Sequence, residues 1–252
     1  MQWSICNGRS RRSVRGLTSG AMKNRISGDP HAFPLSGDLG PGNTALLVID
    51  MQHDFCSEGG YMHRLGAPLS GLRAPIEPIR RVLAAARAAG YHVLHTREGY
   101  RSDLADLQPW KRGGGPNDAI AIGDAGPMGR ALIRGEPCWE IISELSPAPG
   151  EPVLDKASYG PFATTDIDAL LRNWGVRNLV LTGVTTDCCI TSCLREALDR
   201  GYDCLVLADC VGSADPVHHE AALTLMRKRS GVFGTTATSV AFIDAIGWPA
   251  QE

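Results

Sequence analysis

Residues 179–209 read LVLTGVTTDCCITSCLREALDRGYDCLVLAD. Leu179–Gly183 and Asp203–Asp209 are continuous apolar runs of strand length, as expected for strands buried on both faces. Residues 187–200 between them carry a helical period. A strand, a helix and a second strand in so short a span make a βαβ unit, which places the two strands parallel. The pattern extends outward in both directions. Ala45–Asp50 (ALLVID), His92–Thr96 (HVLHT) and Val153–Lys156 (VLDK) are further runs of the same kind. Pro75–Ala89 spaces Ile76, Ile79, Leu83 and Ala86 on one helical face before Gly90, and Thr165–Trp174 does the same with Ile167, Leu170 and Leu171 before Gly175. Residues 216–229 supply another helix. The reading is an α/β protein, a three-layer α/β/α sandwich with a mostly parallel central sheet.

The chain has 252 residues, 43% hydrophobic and 21% charged, which excludes a collagen, a coiled coil and a disordered chain. A chain of this length buries roughly 70–75% of its extended surface and needs no metal or disulfide staple. With 25 basic and 27 acidic residues the net charge is −2, so no overall field attracts nucleic acid or an anionic membrane. No apolar run approaches the ~20 residues of a membrane-spanning helix. No secretory signal stands behind the N-terminus, so a cytoplasmic location is expected. The eight cysteines show no C-x-x-C pair and read mostly as small buried hydrophobes. Residues 1–28 carry six basic side chains and no acid. That composition is similar to a transit peptide, but a disordered arm, or a leader ahead of a true start at Met22, is the simpler reading. Residues 29–252 then form one domain, its Gly- and Pro-rich beginning laid over the surface. Residues 98–150, with Gly113–Gly115 and several prolines, read as a long insertion at the active site or an interface.

In an open parallel sheet, ligands bind outside the carboxyl ends of the strands. Asp50 ends the first run, Lys156 ends another, and Cys188 and Cys189 open the helix after TGVTTD. A carboxylate, an amine and a thiol therefore meet on one edge. A thiol at a helix N-terminus beside an ammonium is activated as a nucleophile. A nearby carboxylate can take its proton and return it to a leaving amine. The backbone N–H groups of the same turn suit an oxyanion hole. A flavodoxin-like binding module would need a Gly-rich phosphate turn after the first strand, and IDMQHDF has none. A non-catalytic interaction protein would be expected to lack one of the three groups.

TALLVIDMQHDFC, VLDKASYGPFATTDID and LVLTGVTTDCCITSCLREALDRGYDCLVLADC resemble the signature blocks of the isochorismatase-like cysteine hydrolases. The resemblance implies a catalytic triad of Asp50, Lys156 and Cys189, with Cys189 rather than Cys188 as nucleophile. It implies a cis peptide between Val184 and Thr185, with the N–H groups of Thr185 and Cys189 forming the oxyanion hole. Four more segments, DPHAFPLSGDLGPGNTAL, APIEPIRRVLAAARAAGYHVLHTREGYRSDLADL, IGDAGPMGRALIRGEPCWEIISEL and SGVFGTTATS, resemble biuret hydrolases within that family. They imply a small linear urea condensate, hydrolysed at a terminal C–N bond with release of ammonia. The nicotinamidase branch carries metal-binding Asp and His residues after the second strand, where this chain has HTREGYRSDL, so no metal and no cofactor are expected. Ser230 stands where biuret hydrolases carry Gln, a departure that leaves room for triuret. The alternative is another hydrolase of the family, acting on a ureidoacrylate, an N-carbamoyl amine, a nicotinamide-type amide or a vinyl ether. The resemblance also implies a homotetramer.

Beyond the triad, the residues expected to contact substrate are Gln52, Phe55, Tyr100, Arg101, Phe162 and Ser230. Glu98 reads as part of an exposed charged loop, Lys111 and Arg112 as a solvated face or subunit contact, and His218 and His219 as helix surface.

Overall fold

The structure, a computed structural model, describes residues 25–112, 120–228 and 231–248. Six parallel strands form the central sheet: β1 (Thr44–Ile49), β2 (His92–Glu98), β5 (Val153–Lys156), β6 (Asn178–Val184), β7 (Asp203–Gly212) and β8 (Thr235–Ala237), in the order β5-β2-β1-β6-β7-β8. Two short strands, β3 (Ala125–Gly126) and β4 (Gly129–Arg130), pair as a hairpin apart from it.

Alternation along the strands sorts the core into two layers. Leu46, Val48, Val180 and Leu205 point to one face, against α4 (Ile76–Ala88) and Phe242 of α8 (Ser239–Ala245). Ala45, Leu47, Ile49, Leu179, Leu181 and Val206 point to the other. There they meet α5 (Ile167–Asn173), α6 (Thr191–Asp199) and α7 (Pro216–Met226). Both faces being covered, the strands read as unbroken apolar runs. Three short helices, α1 (His53–Cys56), α2 (Tyr61–Arg64) and α3 (Ser70–Arg73), lead from β1 to α4. Among the described residues no helix is long and apolar enough to cross a membrane.

The five apolar runs are all strands, and β8 and α8 add to them. Of the basic arm only residues 25–28 are described. From Ile26 on, the Gly- and Pro-rich segment is anchored to the domain. Ile26 and Phe33 are buried and bridge each other, and Asp29 bridges Thr236 on the edge strand β8. Residues 98–150 hold 3₁₀ turns around Pro109–Lys111, Pro137–Trp139 and Ser143–Leu145, and they bury Leu132, Ile133 and Trp139.

Sheet register sets the site. Ile49 pairs with Thr96 on one side and Gly183 on the other, and Glu98 pairs with Lys156. The ends of β1, β2, β5 and β6 therefore lie at one level. Gly183, at φ +113°, is required there, because a Cβ would collide with the Ile49 carbonyl oxygen. Gly183→Ala is expected to cost on the order of 2–4 kcal/mol in urea unfolding, from backbone strain and overpacking together. A midpoint unchanged from wild type would show that the two strands can part.

Candidate active site

Asp50 follows β1 in a left-handed conformation, φ 52°, which a non-glycine residue seldom adopts outside functional or tightly determined sites. Its side chain is fully buried. The Thr96 hydroxyl on β2 donates to Oδ1 at 2.7 Å, and Lys156 Nζ lies 2.7 Å from Oδ2. That second contact is ionic, approached off the direction of a well-aligned hydrogen bond. Lys156 Nζ donates to the Ser158 carbonyl at 2.9 Å, and it lies 3.4 Å from Glu98 Oε2 and 3.7 Å from Cys189 Sγ. Burial works against this ammonium, but Asp50, Cys189 and Glu98 outweigh it and hold its proton more tightly than usual.

Cys189 sits in a turn of π-helix, Thr186–Ile190, between β6 and α6. In this turn the Thr185 carbonyl accepts from the N–H groups of Cys188 and Ile190, both at 3.1 Å. The peptide between Val184 and Thr185 is cis. The thiol of Cys189 is pushed well up, by its interaction with Cys188 and by burial, with Lys156 opposing. Its sulfur lies 3.4 Å from Glu98 Oε2. The structure thus brings Asp50, Lys156 and Cys189 together, and it adds Glu98 as a fourth member.

Glu98 is buried rather than an exposed loop charge. It is the last residue of β2, and its other carboxylate oxygen accepts from the Tyr100 hydroxyl at 2.9 Å and faces Lys111 Nζ at 3.6 Å. Burial raises its carboxyl, yet Lys156 and Lys111 more than compensate and bring it below the usual carboxylate range. Asp50 moves the other way, raised by burial despite Lys156. Lys111 is likewise no solvated face. Its side chain is buried, donates to the Tyr100 hydroxyl at 2.7 Å and lies over the Tyr159 ring at 3.7 Å.

A cavity of about 370 Å³ opens above these groups, lined by Phe55, Glu98, Trp110, Lys111, Tyr159 and Cys189, with Tyr61, Met62, Ile122, Leu132, Thr185 and Cys188 completing the wall. Phe55 and Thr185 are thus on the wall, as the sequence suggests. Four other expected contacts lie off it. The Gln52 amide is spent on the backbone: Nε2 donates to the carbonyls of Glu98 (2.9 Å) and Trp139 (2.8 Å), and Oε1 accepts from the Glu98 N–H (2.8 Å). Tyr100 is fully buried behind Glu98. Arg101 points outward and pairs with Asp103 at 3.2 Å. Phe162 packs against Tyr202, ring centroids 5.9 Å apart. Ser230 lies outside the described residues. Sequence reasoning missed Glu98 and Lys111, because a charged residue next to a loop is usually solvated. The one signal was that Glu98 continues the strand HVLHTRE.

The oxygens of Asp50 and Glu98 and the sulfur of Cys189 lie within 4.8 Å of one another, a spacing that could hold a cation. Lys156 Nζ already occupies that position. A metal ion there would meet the ammonium, so the residues present do not fit one.

The isochorismatase domain model matches residues 44–238. A ureidoacrylate amidohydrolase, RutB, of Serratia proteamaculans is 38% identical over 191 residues, 73% of this chain and 76% of that protein. The protein of the same name from Enterobacter sp. is 32% identical, covering 86% of this chain and 95% of its own. Among solved structures, a cysteine hydrolase from Pseudomonas syringae pv. phaseolicola superimposes with a TM-score of 0.69 at 27% identity, covering 84% of this chain and 95% of that one. N-carbamoylsarcosine amidase from Thermoplasma acidophilum does so with a TM-score of 0.60 at 26% identity, covering 78% and 96%. The fold and the site define an α/β hydrolytic scaffold built around a buried cysteine. This chain belongs to the isochorismatase family. None of these four relatives is named a biuret hydrolase.

Removing the ammonium strands the buried Asp50 carboxylate and leaves Glu98 with Lys111 alone, whereas removing the thiol strands nothing. Lys156→Met is therefore expected to lose about 3–5 kcal/mol in denaturant unfolding. Cys189→Ser should stay within roughly 1 kcal/mol of wild type. Equal stability of the two variants would show that the carboxylates do not depend on Lys156.

Proposed function

We propose that this protein is an amidohydrolase that cleaves the terminal carbamoyl group of a small ureido compound through a thioester on Cys189. The observation that carries the reading is the cysteine thiol on the cavity wall, with an ammonium 3.7 Å and a carboxylate oxygen 3.4 Å from its sulfur. The thiol proton passes to a carboxylate of the site, and the sulfur attacks the carbamoyl carbon. Lys156 favours the developing thiolate, and the N–H groups of Thr185 and Cys189 receive the oxyanion, each such donor being worth roughly 10²–10³ in rate. The proton returns to the departing nitrogen, which leaves as ammonia. Water then opens the thioester to an N-carboxylated product, allophanate from biuret and, from triuret, a carboxylated biuret that can lose carbon dioxide.

Two kinds of ureido substrate follow from different observations. The names of the relatives support a ureido acid such as ureidoacrylate, or an N-carbamoyl amino acid. Charge balance supports an uncharged urea condensate, biuret or triuret. Asp50 and Glu98 are matched by Lys156 and Lys111, so the described wall holds no surplus cation for a substrate carboxylate. The resemblance of the flanking segments to biuret hydrolases supports the same class, with Ser230 extending it to triuret.

Ammonia release from ureidoacrylate, N-carbamoylsarcosine, biuret and triuret, measured in parallel, tests the proposal. Release from at least one is expected, and Cys189→Ser should abolish it. Release confined to the acids would dismiss the urea condensates, and release confined to biuret or triuret would dismiss the acids. Silence on all four from a protein whose Cys189 still reacts with alkylating agents would overturn the ureido class.

A further inference from the structure

The sequence places His218 and His219 alike on the surface of a helix, and the structure separates them. Asp215 caps α7, accepting from the Val217 N–H at 2.8 Å, and Pro216 opens the helix, so both histidines fall within its first four residues. The His218 side chain is 66% exposed, with Nδ1 3.8 Å from Asp187 and 3.6 Å from Asp215. Pairs so long and so exposed contribute little. His219 is half-buried, and its Nδ1 lies 2.9 Å from the hydroxyl of Thr186, one hydrogen bond in either tautomer of the ring. Thr186 is fully buried and opens the π-turn that carries Cys189. Asp187, next in that turn, accepts from the Ser213 hydroxyl at 2.8 Å. His219 and Ser213 line a second cavity, of about 400 Å³, and neither is on the wall of the first.

We infer that His219 is a positioning residue of the reaction, holding through Thr186 the turn that carries Cys189 and the oxyanion donors; this rests on the thioester reading above. The N–H groups assigned to the oxyanion belong to Thr185 and Cys189, and Thr186 lies between them in the chain. Their spacing, and the place of the sulfur beside Lys156, follow the path of residues 185–189. Thr185, Cys188 and Cys189 give that path its cavity side, which has to stay open to substrate. Restraint therefore has to come from elsewhere, and the side chains of Thr186 and Asp187 supply it through His219 and Ser213. The helix cap at Asp215 makes the anchor firm, since it fixes the start of α7 on which His219 stands. Being off the wall, His219 touches no substrate and moves no proton. It acts only through Thr186.

Ammonia release by His219→Leu, Thr186→Val, the double variant and His219→Asn tests the assignment. Misplaced reacting groups and oxyanion donors are costly, so each of the first two should lower kcat by roughly 10–100-fold. KM should stay within about threefold, because no contact on the wall is lost. Both variants remove the same bond, so the double variant should be no slower than the slower single one. His219→Asn puts an amide where Nδ1 stood, able to donate or accept, and should keep kcat within about threefold of wild type. A kcat for His219→Leu within about threefold of wild type, losses that multiply in the double variant, or His219→Asn as slow as His219→Leu would each overturn the role. Should His219→Leu not fold, Thr186→Val against Thr186→Ser decides: the first should lose turnover and the second keep it, and equal rates overturn the role. Acylation of Cys189 by 4-nitrophenyl acetate, read as the nitrophenol burst that Cys189→Ser lacks, uses the same oxyanion donors and needs no ureido compound. If wild type gives this burst but no ammonia, only the substrate class fails, and a burst unchanged in His219→Leu overturns the role of His219. With neither burst nor ammonia, the thioester reading and the role built on it fall together.

Discussion

A buried ammonium survives only where anions replace the water it has lost, and Lys156 is such an ammonium, with no exposed side-chain surface. Two carboxylates and a thiol surround it. The dependence is mutual. Without Lys156 the carboxylates of Asp50 and Glu98 would stand buried beside each other, and the two could not both remain ionised. The end of β5 places the ammonium, β1 and β2 place the acids, and the turn after β6 places the thiol. Four strand ends therefore have to arrive at the same level, and a parallel sheet delivers this through register.

That constraint explains features otherwise unrelated. Gly183 lets β6 approach β1 where the site is built. Thr96, hidden in the sheet, directs one oxygen of Asp50. Asp54 accepts from the N–H groups of Tyr61 (3.0 Å) and Leu132 (2.8 Å), tying two wall segments of the cavity to the end of β1. The insertion between β2 and β5 closes the cavity with Trp110, Lys111, Ile122 and Leu132. Lys111 carries the second positive charge, balances Glu98, and completes a site with two acids and two ammonium groups. The neutrality lets the cluster lie buried.

The remaining cysteines show how one residue type divides by environment. Cys56, Cys193, Cys204 and Cys210 are buried, and burial pushes each thiol upward, Cys56 to about 12. They pack as small hydrophobes. Cys189 is as deeply buried and its thiol is also pushed up, but it alone among the described cysteines has an ammonium and a carboxylate within hydrogen-bonding reach of its sulfur. What sets Cys189 apart from them is its neighbours rather than its exposure.

Periodicity along the chain was enough to set the α/β class, five of the six sheet strands and four helices, because hydrophobic patterning records which faces a strand or helix buries. The strand β8 stayed hidden, being three residues long and so too short to show a period. Asp50, Lys156 and Cys189 were legible because each ends a strand or opens a helix, and parallel strands bring such ends together. Of the expected substrate contacts, Phe55 lies on the cavity wall, but most of the others do not. Gln52, Tyr100, Arg101 and Phe162 follow or flank the right strands, but whether a side chain reaches the cavity depends on rotamers and on competition for hydrogen bonds. Gln52 went to the backbone and Arg101 to Asp103. Glu98 and Lys111, separated in sequence, read as ordinary surface charges. Only the tertiary structure seals them under the insertion and pairs them, because the desolvation that makes a charged pair matter exists only after the chain has closed over it.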